Sequence, residues 1–410
     1  MKADVVVVGA GPAGLAAAIA AKENGADSVV VIDREERPGG ILRQCIHNGF
    51  GLHVFGEELT GPEYAARFID KANALGVRFL TETMVLNISP DRVVTAVGPE
   101  TGLIAIEAGA MVLAMGCRER SAGALMIPGS RPSGVLTAGT AQRFVNIEGY
   151  MPGREAVILG SGDIGLIMAR RMTLEGAHVK MVLELMPYSG GLKRNIVQCL
   201  DDFNIPLKLS HTVTRLHGRK RLTGVTVAAV DESGVPIKET EEYVPCDTLL
   251  LSVGLIPENE LSREAGVEID PTTNGPVVDS HLQTSAPGIF ACGNVVQVHD
   301  LVDFVTEEAT RAGRAAAQFL REKSACGGWK TAAGRGVRYV VPQTLCDDGE
   351  DKTLFFRVSG VYRDCATVAR CGDKVVARKK RPICAPGEME RLTIKGADIC
   401  GDITVTVEGV

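Results

Sequence analysis

Two stretches of this chain repeat one another. Residues 5–33 read VVVVGAGPAGLAAAIAAKENGADSVVVID and residues 156–184 read AVILGSGDIGLIMARRMTLEGAHVKMVLE, aligned without a gap at a constant offset of 151. Gly9, Gly11 and Gly14 meet Gly160, Gly162 and Gly165, and Asp33 meets Glu184. In each copy an apolar run leads into G-x-G-x-x-G, then a helical stretch stopped by glycine, then a second apolar run ending in an acid. That pattern predicts strand, turn, helix, strand.

Each part has a physical reason. The first glycine turns the chain out of the strand, the second lets the backbone approach a pyrophosphate, and the third packs helix against strand. Phosphates rest on the helix N-terminus, where free N–H groups and the dipole favour negative charge. The acid, 19 residues after the third glycine, is placed to hydrogen-bond a ribose diol. One such motif is weak evidence; two, each with strand, helix and acid in place, are strong. Two dinucleotides are therefore expected. Candidate contacts are Gly9, Gly11, Pro12, Ala13, Gly14, Asp33 and Arg34 in the first copy. In the second they are Gly160, Gly162, Asp163, Ile164, Gly165 and Glu184. Glu184 favours NAD over NADP, because a 2′-phosphate would meet a carboxylate, and Leu185 and Met186 rather than an arginine follow it. The alternatives are glycine-rich turns that hold nothing, a single working copy, and a Glu184 that is only a solvated strand-end acid.

Composition narrows the class. Glycine makes up 47 of 410 residues, above the usual share of about 7%, as turns and close backbone approach require. Hydrophobic residues at 45% exclude a mainly disordered chain. A net charge of −6 argues against a dedicated nucleic-acid binder. The charge is uneven: residues 321–410 carry 16 Lys/Arg against 12 Asp/Glu. The N-terminal apolar run is broken by Gly9, Gly11, Pro12 and Gly14 and does not read as a signal peptide. No run is long enough to predict a membrane span. Eleven cysteines with no Cys-x-x-Cys suit reduced thiols and a cytoplasmic location.

Two nested dinucleotide motifs resemble the two-domain flavoprotein reductases of the thioredoxin reductase and glutathione reductase superfamily. ERPGGIL (36–42) is similar to that family's glycine pair near the FAD pyrophosphate, and MVLAMG (111–116) and TLLLSVG (248–254) to its two crossings between domains. TSAPGIFACGNVV (284–296) resembles the second FAD motif, with Asn294 where an Asp is usual. The resemblance covers about residues 1–325 and implies an α/β fold: two nested Rossmann-like domains, one for FAD and one for NAD(P), plus a small C-terminal all-β domain. FAD falls to 1–117 and 255–325, NAD to 118–254, and the β domain to 336–410. The resemblance adds Gly40, Ile41, Arg43, Val85, Ala114, Gly116, Gly293 and Asn294 to the FAD contacts and Gly254 to the site. It also gives Val305 and Thr306, at the start of a helix over 302–320, as amide donors to the flavin. GGILRQCIHNGFGL and Asn294 resemble more narrowly the FAD/NAD oxidoreductase that accompanies a flavin-containing glycerol-3-phosphate dehydrogenase in anaerobic bacteria. Electron-transfer subunits of heteromeric amino-acid and opine dehydrogenases are similar too.

The cysteine positions then bear on the chemistry. Disulfide reductases need two thiols beside the flavin. Residues 118–245 contain only Cys199, and only Cys45 follows the glycine pair. Cys45 is a candidate redox thiol with His47 to lower its pKa; packing near the cofactor is the competing role for both. The expected function is hydride exchange between NAD(H) and FAD, with electrons passed to or from a partner flavoprotein dehydrogenase subunit in an oligomer. A self-contained NADH oxidase, peroxidase or disulfide reductase using Cys45 is one alternative. A non-catalytic nucleotide-binding protein is another.

Beyond a linker at SACGGWKTAAGRG (324–336), short β-rich runs with turns between them predict a small β-sandwich or meander. Cys326, Cys346, Cys365, Cys371, Cys384 and Cys400 fall there. Their spacing lacks the Cys-x2–4-Cys of metal sites, so free buried cysteines and no metal are expected. The basic run Arg378–Arg381 is either a docking point for an acidic partner or a solvated hairpin.

Overall fold

A computed structural model describes residues 1–323 and 327–409. The chain forms two units: Met1–Cys117 with Pro257–Val410, and the inserted Arg118–Ile256.

The first unit is built on a seven-stranded sheet. Its centre is Lys2–Val8, parallel to Val29–Ile32 on one side and to Gly102–Leu113 on the other. The continuous valine runs are buried, as strands of a parallel sheet covered on both faces should be. Gly102–Leu113 serves three partners. Its first half pairs antiparallel with Val93–Gly98 and alternates between exposed and buried residues. Its second half is buried between Lys2–Val8 and Ile289–Ala291. Helix α1 (Pro12–Glu23) follows the first strand and is mostly buried, with alanine at half of its positions.

The inserted unit has a five-stranded parallel sheet in the order Val135–Thr137, Thr248–Leu251, Glu155–Leu159, His178–Glu184, Leu207–Leu209. Helix α2 (Asp163–Leu174) follows Glu155–Leu159. A three-stranded antiparallel sheet of His211–Gly218, Leu222–Ala229 and Glu242–Val244 completes it.

In the first unit, helix α3 (Val302–Phe319) crosses α1 closely: a Cβ on Gly313 would strike the Ala17 carbonyl. The C-terminal region has a five-stranded and a three-stranded sheet. Val337, Leu354, Phe356 and Ile394 from one share a core with Ile403 and Val405 from the other, which is a sandwich. Gly328–Ala333, expected within a linker, is instead a strand between Thr344–Cys346 and Ile403–Gly409. Apart from the half-buried Trp329, its side chains are small or polar and largely exposed, so its pairing rests mainly on the backbone, which hydropathy does not register. Ser324–Cys326 lie outside the described residues.

The sandwich packs against the rest of its own unit. Val341 belongs to the main core. The Asp300 carboxylate accepts from Arg357 at 2.5 Å and from the Met389 N–H at 2.6 Å. Arg391 lies over the Phe304 ring and pairs with Glu307 at 3.4 Å. Among the described residues no helix is long and apolar enough to cross a membrane.

Candidate functional site

The two glycine loops are superimposable in their hydrogen bonds as well as their sequence. Gly9 N–H donates to Ile32 O at 2.8 Å, and Gly160 N–H to Leu183 O at 2.7 Å. Asp33 accepts from the Ala10 N–H at 2.6 Å and from the Glu35 N–H at 2.8 Å. Glu184 accepts from the Ser161 N–H at 2.9 Å, the Ser161 hydroxyl at 2.6 Å and the Met186 N–H at 2.9 Å. Each pair of positions differs by the same 151 residues. The acids thus pin the loop to the end of the second strand, a role beyond the ribose contact expected of them.

Steric demand divides the glycines of the first loop. Gly9 has φ +103°, and a Cβ there would collide with the Ala114 carbonyl; one on Gly14 would collide with the Gly9 carbonyl. The protein itself therefore requires both. Gly11 differs: its φ is −73°, and the nearest atom to an added Cβ is the Gly40 Cα at 4.0 Å. In the second loop Gly160 has φ +98° and abuts Ser252, and Gly165 would place a Cβ 2.7 Å from the Ser252 Cβ. A Cβ on Gly162 meets the Ser252 hydroxyl at 3.3 Å and no other atom closer than 3.8 Å. Helix α1 begins with Pro12, has no side-chain cap and has no acid in its first turn. Its first N–H groups and its dipole thus suit an anion. Helix α2 carries Asp163 in its first turn, but that carboxylate accepts from the Leu192 N–H and the Asn195 side chain. Ile164 is half-buried against the core of the inserted unit.

The glycine pair folds onto the first loop. Gly39 N–H donates to Ala10 O at 2.8 Å, and a Cβ on Gly40 (φ +54°) would sit 2.8 Å from the Gly11 Cα. Ile41 is exposed, Arg43 is half-buried with its stem against Gly39, and Arg34 is exposed beside Asp33. Gly116 and Gly254 have φ +75° and +101° with open space where a Cβ would lie. Val85 packs its side chain into the core, leaving only its backbone for a ligand.

The second FAD-like motif meets the first loop inside the same unit. A Cβ on Gly293 would lie 2.8 Å from the Ala13 Cβ and 3.2 Å from Val305. The Asn294 oxygen accepts from the His299 N–H at 3.0 Å, and its amide donates to the Cys117 sulfur at 3.6 Å. A carboxylate cannot make that second bond, which gives the Asn in place of Asp a physical role here. At the start of α3 the Val305 N–H already donates to Leu301 O, in a long 3.4 Å bond. The Thr306 hydroxyl pairs with Tyr64 at 2.7 Å.

One residue of this site carried no sequence signal. Glu308, wholly buried, accepts from the Gly293 N–H at 2.7 Å and faces His299 Nε2 at 3.2 Å. Burial pushes its carboxyl up, but the His299 ring and the Gly293 N–H outweigh this and hold it below the ordinary value of 4.5. A glutamate in mid-helix reads as a solvated charge until the fold brings Gly293 and His299 to it.

Cys45 is buried, and burial pushes its thiol up to about 12. It donates to Ile41 O at 3.3 Å, and its own carbonyl accepts from Gly61. The His47 ring tilts against Phe50 at 5.0 Å, with Nδ1 3.1 Å from Asn48 O. At neutral pH this thiol stays protonated, contrary to what a redox nucleophile needs. The C-terminal cysteines correct the expectation of free buried thiols. Cys346 is disulfide-bonded, Cys400 is exposed and Cys371 half-buried. Cys326 is outside the described residues. His281, Cys346 and Asp348 cluster, yet the bonded Cys346 offers no thiolate and Asp348 is held by Lys352 and His281.

Residues 3–318 match the family described as pyridine nucleotide-disulphide oxidoreductase. An opine oxidase subunit of Agrobacterium tumefaciens (strain Ach5) is 29% identical over 314 residues, covering 71% of this chain and 61% of that protein. Hydrogen cyanide synthase subunit HcnB of Pseudomonas protegens is 25% identical, covering 72% of this chain and 66% of that protein. The chain thus spans about 61–66% of the length of these relatives. Among solved structures, thioredoxin reductase of T. acidophilum superimposes with a TM-score of 0.64 at 24% identity, covering 77% of this chain and 98% of that one. This likeness supports the fold.

Proposed function

Because this chain belongs to the pyridine nucleotide-disulphide oxidoreductases, an FAD- and NAD(P)-dependent oxidoreductase family, we propose that it exchanges hydride between NAD(H) and FAD and passes the electrons to or from a partner dehydrogenase subunit. In this reading residues 1–117 and 255–325 hold FAD, and residues 118–254 hold NAD. The observation that carries it is Gly11: no protein atom demands glycine there, whereas a pyrophosphate approaching the start of α1 does. When bound, FAD supplies a carrier able to take a hydride from NADH and release electrons onward. The chain's own residues bind and orient. The first N–H groups of α1 and α2 take phosphate charge, and Asp33 and Glu184 hold the loops in shape while facing the ribose hydroxyls. Glu184 favours NADH over NADPH by repelling a 2′-phosphate.

Transfer to a partner is supported by two facts. The buried, protonated Cys45 is poorly suited to nucleophilic chemistry. The opine oxidase subunit, hydrogen cyanide synthase subunit HcnB and the glutamate synthase small chain of Escherichia coli are each named as parts of larger enzymes. A flavin-containing glycerol-3-phosphate dehydrogenase is the partner the sequence resemblance favours. The test is anaerobic mixing of the FAD-loaded chain with NADH. Loss of the flavin's visible absorbance is expected, and an unchanged spectrum refutes hydride exchange. Rapid NADH-driven turnover of peroxide or a small disulfide, abolished by Cys45→Ser, would refute the partner reading.

A further inference from the structure

Besides the disulfide of Cys346, the described residues of the C-terminal sandwich include two sulfur–sulfur contacts that differ in access. Cys365 and Cys384 lie 3.6 Å apart inside the core, at 3% and 0% exposure. Cys371 and Cys400 lie 3.2 Å apart at the surface, with Cys400 exposed and Cys371 half-buried. Cys371 ends the strand Tyr362–Cys371, and Cys400 sits in the turn leading to Ile403–Gly409, its antiparallel neighbour. Cys371 is opposite Ile403 in that ladder, so strand register holds the two sulfurs together. Gly401 leaves the space: a Cβ there would lie 3.1 Å from the Cys371 sulfur. An ion pair between Lys374 and Asp398 at 2.9 Å ties the same two segments a short way along the chain.

We propose that Cys371 and Cys400 form an exchangeable dithiol–disulfide couple, a redox modification site that reacts with low-molecular-weight disulfides. The inference stands apart from the nicotinamide–flavin reading and needs neither cofactor. The neighbouring Cys371 raises the Cys400 pKa, so only the ionised fraction reacts: the exposed Cys400 loses its proton to solvent and the thiolate attacks one sulfur of the small disulfide, expelling a thiolate and leaving a mixed disulfide on Cys400. Cys371 then attacks the Cys400 sulfur, forming the Cys371–Cys400 bond and expelling the second small thiolate. Two electrons pass from the protein dithiol to the small disulfide, and the two protein thiol protons end on the two released thiols. Cys400 is the entry point because it is the exposed partner. Cys365 and Cys384 are spared because no reagent reaches them.

The experiment incubates the reduced full-length protein with oxidised glutathione, traps remaining thiols by alkylation, and reads intact mass and linked peptides. Wild type is expected to lose two alkylatable thiols and the mass of two hydrogens, with a single new peptide joining Cys371 to Cys400, reversed by dithiothreitol. Cys371→Ser should stop at one glutathione adduct on Cys400, and Cys400→Ser should show neither adduct nor link at this pair. The proposal is overturned if wild type keeps all its thiols, if it accumulates a stable adduct on Cys400 without closure, or if the new link joins other cysteines. The wild-type readout suffices even where a variant fails to fold.

Discussion

Gly11→Ala separates what the protein needs from what its ligand needs. The residue has ordinary backbone angles, and its added methyl meets nothing nearer than 4.0 Å. The substitution should therefore change the stability of the FAD-free chain little: a gain of about 0.4–1 kcal/mol through the unfolded state is opposed by a loss of about 0.5–1 kcal/mol, because Gly11 is the N-cap of α1, where glycine is preferred to alanine. On the proposed reading, the same methyl would occupy space that a pyrophosphate needs in order to reach the N–H groups of α1. Losing one hydrogen bond to a charged group costs about 1.5–3 kcal/mol, so FAD affinity should fall roughly ten- to hundredfold at about 1.4 kcal/mol per decade. Gly14→Ala is the contrast: its methyl collides with the Gly9 carbonyl, and overpacking should cost about 1–3 kcal/mol or more with or without FAD. Denaturant unfolding of the FAD-free variants and FAD titration by fluorescence provide the two readouts. An FAD affinity in Gly11→Ala equal to wild type refutes the reasoning. So does a loss of several kcal/mol in its FAD-free stability.

Three further outcomes are expected. Glu184→Ala should raise the KM for NADH roughly tenfold or more, through lost loop and ribose bonds, with a smaller change for NADPH; equal losses for both in steady-state assays would reduce Glu184 to a loop anchor. Glu308 has a depressed carboxyl pKa, so its stabilisation is complete above the ordinary value of 4.5 and lost as pH falls through the lower folded value. Glu308→Ala should cost about 1–3 kcal/mol at neutral pH by leaving the buried Gly293 N–H unsatisfied, and should flatten the acid limb of a melting-temperature profile. Because the Cys45 thiol is pushed up to about 12, it should resist alkylation at neutral pH until the chain unfolds, and Cys45→Ser should leave the rate of flavin reduction by NADH within about twofold, as expected for a group outside the chemistry.

The strand–turn–helix units and their acids were legible because local rules determine them. A glycine at a required positive φ, an apolar run and a terminal acid are all read within about thirty residues. Features that depend on distant partners were not. Gly328–Ala333 carries no apolar alternation, and its strand exists because two other strands flank it. Glu308 gains its role from Gly293 and His299, which are near in sequence, but no local rule pairs a mid-helix acid with either. Cys371 and Cys400 match no thiol motif, yet strand register brings their sulfurs within 3.2 Å. The expectation for Asn294 was partial for the same reason, since its bond to Cys117 spans 177 residues.

The strand Gly102–Leu113 acquires its neighbour Ile289–Ala291 only after the whole inserted unit has been made. The α1–α3 crossing and the Asp300 clamp by Arg357 and Met389 come later still. During synthesis, then, residues 118–256 form a continuous stretch able to close its own core, while residues 1–117 wait with one edge of their sheet bare. An emerging chain halted after residue 256 should accordingly show protease resistance in the inserted unit and cleavage in the N-terminal segment. Protection of both segments at that length would mean the N-terminal sheet closes without its late strands.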